Sequence, residues 1–503
     1  MSENRLLLVG LDSFDYRLAE PWIANGELPH LASFQSEAIT RPVTYPPGVE
    51  SGTVWPSFFR GKDPSHHGQY DGIRFFNPQT YEVETWPADA LEQDCLWDNL
   101  TRAGKRSIFI DPPYMHLPTD HNGLFLIDWC AHFSHHGEGD LEPASLPASF
   151  SDHVLEKYGA DPLGGRSCDN ISPITAQQHA DFRDALVRRT KIKTKLVKDL
   201  MAEEAWDAFS VTYCEAHCVA HQSLHLSCRD HPDYDAHMAA KIGDPVKDVY
   251  IALDQALGAL MGAVPEGTRV FLYLSHGVDL PYTGTGLLDR ILQRLEGKPE
   301  PGVDTLARGL RSTWRNLPSP VKTLLNSVRH RLATALRQDR SARDREERRY
   351  FEIPCHNKTG GIRLNLKGRE AKGIVDPADY DSVCRKITDC LDRLTNQETG
   401  EPLVEKIQLA KDLYDGPRLD NLPDILVTWN NQKPINRVSS PDLGSFAHVK
   451  PTARTGEHYF EGLLMSRSAD RTARRHNQAV DVTSLAAEIS AHVDTSHPHQ
   501  PAA

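Results

Sequence analysis

Four short apolar runs, each bounded by polar residues, narrow the folds open to this chain more than anything else in it. Arg5–Leu11, Arg106–Ile110, Asp207–Tyr213 and Arg269–Leu274 are too short for helices. They read as parallel strands buried on both faces. Helical patterns such as Asp184–Leu200 and Val246–Met261 fill the intervals. Alternating strand and helix over this length predicts an α/β fold, a doubly wound sheet with helices on both faces. Ligands in such sheets sit at the carboxyl ends of the strands. There the sequence places Asp12 after the first run, Glu215 and His217 after the third, and Ser275-His276-Gly277 after the fourth.

At 503 residues the chain exceeds the roughly 250–300 at which one hydrophobic core stops growing. The expected division is a core over 1–296 that resumes over 351–486, a basic helical insertion over 297–350, and a flexible tail over 487–503. In the insertion, 13 Lys and Arg stand against 6 Asp and Glu, while Leu310, Trp314, Leu317, Val321 and Leu324 recur at helical spacing. A surface helical pair is the expectation, a lid or a homo-oligomer contact the alternatives.

Net charge excludes one broad class. With 56 basic and 69 acidic residues the chain carries −13 and repels phosphate polymers, so no nucleic-acid partner is expected. A small anionic substrate is still admissible, because a metal ion reverses the local field. Nine cysteines without a CxxC pair imply reduced thiols, hence a cytoplasmic location. No run approaches the ~18 apolar residues of a membrane span.

Histidine is abundant, at 24 residues. His217 and His221 are four apart, so on a helix they share a face and can ligate one metal. Asp12 at a strand end is a hard ligand for a divalent cation, though such an Asp more often caps a helix. Ser51, after Tyr45-Pro46-Pro47-Gly48-Val49-Glu50, is placed to start a short helix, where free N–H groups favour an anion or a deprotonated hydroxyl. His276 and His458 each occupy a Gly-containing loop, ordinarily an uninformative setting.

In order and setting, Gly10-Leu11-Asp12, Ser51, the Lys62…His67-Gly68 turn, Gly361–Glu370, Leu413–Pro417 and Leu422-Pro423-Asp424 resemble the alkaline phosphatase superfamily, in its type I phosphodiesterase/nucleotide pyrophosphatase branch. The resemblance implies an alkaline-phosphatase-like α/β/α sandwich with a central mostly parallel sheet and a helical insertion. It also implies two metal sites, one at His217, His221 and His458, the other at Asp12, Ser51, Ser275 and His276. Ser51 corresponds to the nucleophile that forms a covalent phospho-enzyme. Two positions depart from the family, which has Asp where this chain has His217 and Ser275. The poorer carboxylate count favours zinc, with manganese as the alternative, and leaves open one or two ions per chain. Glu215 and Asp279 are candidate replacement ligands. His356, Asn357, Arg363 and Asn365 are candidate substrate-binding residues. The function the resemblance implies is a metal-dependent hydrolase of phosphoric esters, a phosphodiesterase acting on a small phosphorylated substrate. The alternatives are a degenerate member that only binds, or a phosphonate or sulfate ester hydrolase.

Overall fold

In a computed structural model, the structure describes residues 5–87, 94–131, 142–166, 171–298, 341–355, 358–448, 454–467 and 478–493, with Glu50 and Ser51 described by backbone alone. The four apolar runs are strands. They belong to a nine-stranded sheet made of β1 (Leu6–Leu11), β2 (Ile39–Thr44), β3 (Ser107–Ile110), β4 (Gly123–Ile127), β5 (Ala144–Leu146), β6 (Ala208–Tyr213), β7 (Arg269–Leu274), β8 (Gly462–Arg467) and β9 (Val480–Asp481). Their spatial order is β9-β2-β8-β7-β1-β6-β3-β4-β5. The five neighbours β7, β1, β6, β3 and β4 are mutually parallel. β8 runs antiparallel to β7 and β2, and β5 antiparallel to β4. The sheet is thus mostly parallel, as expected.

Side-chain alternation along β1 splits the core in two. Leu7, Val9 and Leu11 pack with Leu186, Val197 and Leu200 of one helix and Val249, Leu253 and Leu257 of another. Leu6 and Leu8 face the other layer, with Val54, Trp55, Phe58 and Phe59. The helices that carry these residues, together with the histidine-bearing one, are α1 (Glu50–Arg60), α2 (Ala176–Glu203), α3 (Glu215–Ser227) and α4 (Pro245–Ala263). α2 starts well before Asp184 because Thr175 and Gln178 form a reciprocal capping box. α4 starts at Pro245 under the Asp244 cap.

The chain divides into two compact units, Met1–Ile73 with Pro87–Pro281 and Thr452–Ala503, and Arg74–Trp86 with Tyr282–Pro451. That differs from the expected boundary at 296. Residues 351–451 fall outside the sheet unit because they build a core of their own. An antiparallel sheet of Tyr350–Ile353, Thr359–Leu364, Ile425–Trp429 and Val404–Leu409 buries Ile362, Leu364 and Val427 against Ile387 and Leu391. Most of the expected basic insertion, 299–340, lies outside the described residues, and 341–346 is helical. The first residues assigned to the expected tail, 487–493, are helical. Leu485–Val493 is a helix whose Leu485, Ile489 and Val493 recur every fourth residue and are buried. Residues 494–503 lie outside the described set.

Candidate metal centre

Three adjacent central strands, β7, β1 and β6, deliver their following residues to one end of the sheet. β6 leads into α3, whose His217 and His221 lie one turn apart on the same face. His458 comes from Glu457–Tyr459, a short strand paired antiparallel with Gly277–Asp279, in which His458 sits opposite Val278. All three imidazoles are buried. His221 Nε2 lies 3.1 Å from His217 Nε2 and 2.9 Å from His458 Nε2. The three ligand atoms all lie within 4.8 Å of one another.

The tautomer of His221 follows from its other nitrogen. His221 Nδ1 donates to the Gly456 carbonyl at 2.7 Å, so Nε2 presents a lone pair to the other two rings. The loop comes close enough because residue 456 is glycine. A Cβ there would lie 2.5 Å from the Ala220 carbonyl oxygen. Three buried nitrogens converging in this way suit a borderline divalent cation, and imidazole nitrogen is a ligand zinc accepts in a tetrahedral set.

Beside this cluster, Asp12 and Ser275 are joined by hydrogen bonds. Asp12 Oδ1 accepts from Trp55 Nε1 at 2.7 Å and from the Ser275 hydroxyl at 2.9 Å. Ser275 Oγ in turn accepts from the Ser13 backbone N–H at 3.1 Å. Ser13, at φ 54°, turns the chain after β1 and places its hydroxyl 3.1 Å from His276 Nδ1. The His276 ring lies 4.3 Å from that of His458, centroid to centroid, so it stands between the two groups. Burial lowers the His276 pKa against the pull of Asp12. Ser51 is the second residue of α1. Trp55, one turn on, fastens that helix to Asp12, and Gly10 admits the indole, since a Cβ there would lie 2.6 Å from the ring.

The candidate replacement ligands do not join the cluster. Glu215 is fully buried and neither carboxylate oxygen has a hydrogen-bond partner. It lies two residues from His217, about 200° around the helix. Its electrostatic neighbours are Lys193 and Arg189, and burial still raises its pKa. Asp279 pairs with Glu457, so it occupies the ribbon face opposite His458. Arg17 and Tyr459 are its neighbours there.

Of the candidate substrate residues, Arg363 and Asn365 are among the described residues. Arg363 is buried, with Nε 2.7 Å from Glu370 and a guanidinium N–H 2.7 Å from the Leu422 carbonyl. Asn365 accepts from the Tyr81 hydroxyl at 2.7 Å and donates to the Arg348 carbonyl at 2.9 Å. Both are committed to internal bonds of the second unit. His356 and Asn357 lie outside the described residues. Sequence reasoning overlooked Trp55, Ser13 and Gly456. Only Trp55 left a signal, its four-residue spacing from Ser51.

A profile of the family described as type I phosphodiesterase / nucleotide pyrophosphatase matches residues 6–445. No curated protein matches the sequence. Among solved structures, the chain is similar to the wild-type alkaline phosphatase PafA at 12% identity, over 97% of this chain and 96% of that one, with a TM-score of 0.52. It is also similar to phosphonoacetate hydrolase from Sinorhizobium meliloti 1021 in complex with phosphonoformate (12% identity, 98% and 96% covered, TM-score 0.49). Murine ectonucleotide pyrophosphatase/phosphodiesterase 5 is a third (11% identity, 99% and 97% covered, TM-score 0.46). The PafA likeness carries the fold and nothing further. Among the described residues no helix is long and apolar enough to cross a membrane.

Proposed function

The chain belongs to the type I phosphodiesterase / nucleotide pyrophosphatase family, and from that premise we propose that it is a metal-dependent phosphodiesterase with Ser51 as its nucleophile. The family makes it a phosphoester hydrolase. The convergence of His217, His221 and His458 Nε2 supports metal dependence, with zinc favoured over manganese by the all-nitrogen donor set. When bound there, a divalent ion supplies a Lewis acid that polarises a phosphoryl oxygen.

The chain's own residues do the rest. Val49 supplies no side-chain cap to α1, so the first-turn N–H groups favour an anion beside Ser51. The Trp55–Asp12 bond seats that helix against the end of β1. The Ser51 hydroxyl attacks phosphorus in line. One P–O bond forms as the bond to the ester oxygen breaks, and the serine proton ends on the departing alcohol. Water then cleaves the phosphoseryl intermediate, releasing a monoester and restoring Ser51. The reduced-thiol composition supports a cytoplasmic setting.

The test is turnover of bis-p-nitrophenyl phosphate and p-nitrophenyl phosphate by wild type and Ser51→Ala, with and without chelation. Diester turnover lost in Ser51→Ala, lost on chelation and restored by zinc is the expected result. Undiminished turnover in Ser51→Ala overturns the nucleophile. A wild type inert on both esters with zinc or manganese overturns the enzyme and favours a protein that only binds.

A further inference from the structure

Resting on that hydrolase reading, we infer that each chain binds a single divalent ion, at His217, His221 and His458, and that the Asp12–Ser275–His276 group is closed to a second by its own hydrogen bonds. The Ser275 hydroxyl has one proton, and Asp12 Oδ1 receives it at 2.9 Å. An oxygen lone pair of Ser275 is taken by the Ser13 N–H. Asp12 Oδ1 already accepts the Trp55 indole as well. Hydrogen bonds to a buried carboxylate are the stronger kind. A cation entering here would displace them and find a neutral hydroxyl where a carboxylate ligand is wanted.

Charge points the same way. Two divalent ions about 3.5–4 Å apart repel strongly unless carboxylates lie between and around them. Asp12 is the one carboxylate joined to this group among the described residues. Glu215 and Asp279 face elsewhere, as shown above. Asp15 is paired with Arg17 at 2.7 Å, and Glu457 has Arg454 at 3.7 Å. One dication beside Asp12 leaves a single net positive charge, which a singly charged phosphodiester neutralises. A second would leave three.

Zinc per chain, measured by elemental analysis after equilibration in zinc-buffered solution, decides this without reference to activity. Wild type, Ser275→Ala and His276→Ala are each expected to hold one zinc, and His221→Ala to lose it. Ser275→Asp is expected to hold two. Its metal-free form should melt below metal-free wild type and recover on adding zinc, because the new carboxylate is otherwise buried against Asp12. Two zinc ions in wild type, falling to one in His276→Ala, overturn the inference while leaving the hydrolase reading intact. Loss of the only zinc in His276→Ala overturns it too, by moving the ion to the other group. A Ser275→Asp variant that folds and still holds one overturns the assigned cause. If that variant does not fold, the counts for wild type, Ser275→Ala and His276→Ala still decide.

Discussion

Asp12 Oδ1 accepts from both the Trp55 indole and the Ser275 hydroxyl, which makes an indole part of the proposed site. Trp55→Phe keeps the ring packing with Phe58, Phe59 and Tyr273 but deletes one donor to a buried carboxylate. It is expected to cost about 1–3 kcal/mol of stability by urea denaturation, with zinc per chain unchanged. Gly456 bears on the proposed ion through His221. Gly456→Ala pushes the loop away from Ala220 and withdraws the carbonyl that fixes the His221 tautomer. Zinc affinity by competition with a chromogenic chelator should weaken about 10–100-fold. Such residues show why sequence disclosed only part of the site. The spacing of His217 and His221 encodes a shared helix face directly. The gathering of Asp12, Ser275 and His276 needs strand order, which a single run of apolar residues does not contain. Glu215 looked like a ligand by nearness in sequence, and helix rotation turned it away.

α3 is held from behind as well as in front. His179 of α2 is buried, and its Nδ1 lies 2.9 Å from the Ser223 hydroxyl, half a turn beyond His221. Burial, with His225 nearby, lowers the His179 pKa to about 4. In the unfolded chain His179 titrates near its ordinary ~6.5, so between there and about 4 the unfolded state binds a proton the folded state refuses. Its contribution to stability is therefore intact above ~6.5 and is lost as pH falls toward 4. Replacing His179 with Gln removes this dependence. Urea midpoints measured from pH 7 to pH 4 should fall less steeply in His179→Gln than in wild type, and parallel slopes would discard the assignment. Elements like α2 and β1 were legible because their apolar periodicity is long or unbroken. β2, Ile-Thr-Arg-Pro-Val-Thr, was not, because polar residues and a proline interrupt it and only Val43 is buried.

All the side chains that gather at the candidate centre belong to the first unit, whereas Arg363 belongs to the second. The two roles open to Arg363, anchoring a substrate anion or holding its own unit together, predict opposite outcomes on substitution. Its guanidinium is 2.7 Å from Glu370, which is itself fully buried. It also caps the carbonyls of Asp420 and Leu422, at the segment whose Asp424 pairs with Arg369 at 2.7 Å. Removing one partner of a buried ion pair leaves an uncompensated charge, which costs about 3–5 kcal/mol. Arg369, 2.9 Å from Glu370, offsets part of that. Arg363→Met keeps the side-chain volume and removes the charge. It is expected to lose about 3 kcal/mol in urea denaturation while folded protein retains its zinc and an unchanged KM for the diester. A substrate-holding arginine would give the reverse, a raised KM with wild-type stability. That difference separates the residues that carry the chemistry from the buried charges that keep the rest of the chain in one piece.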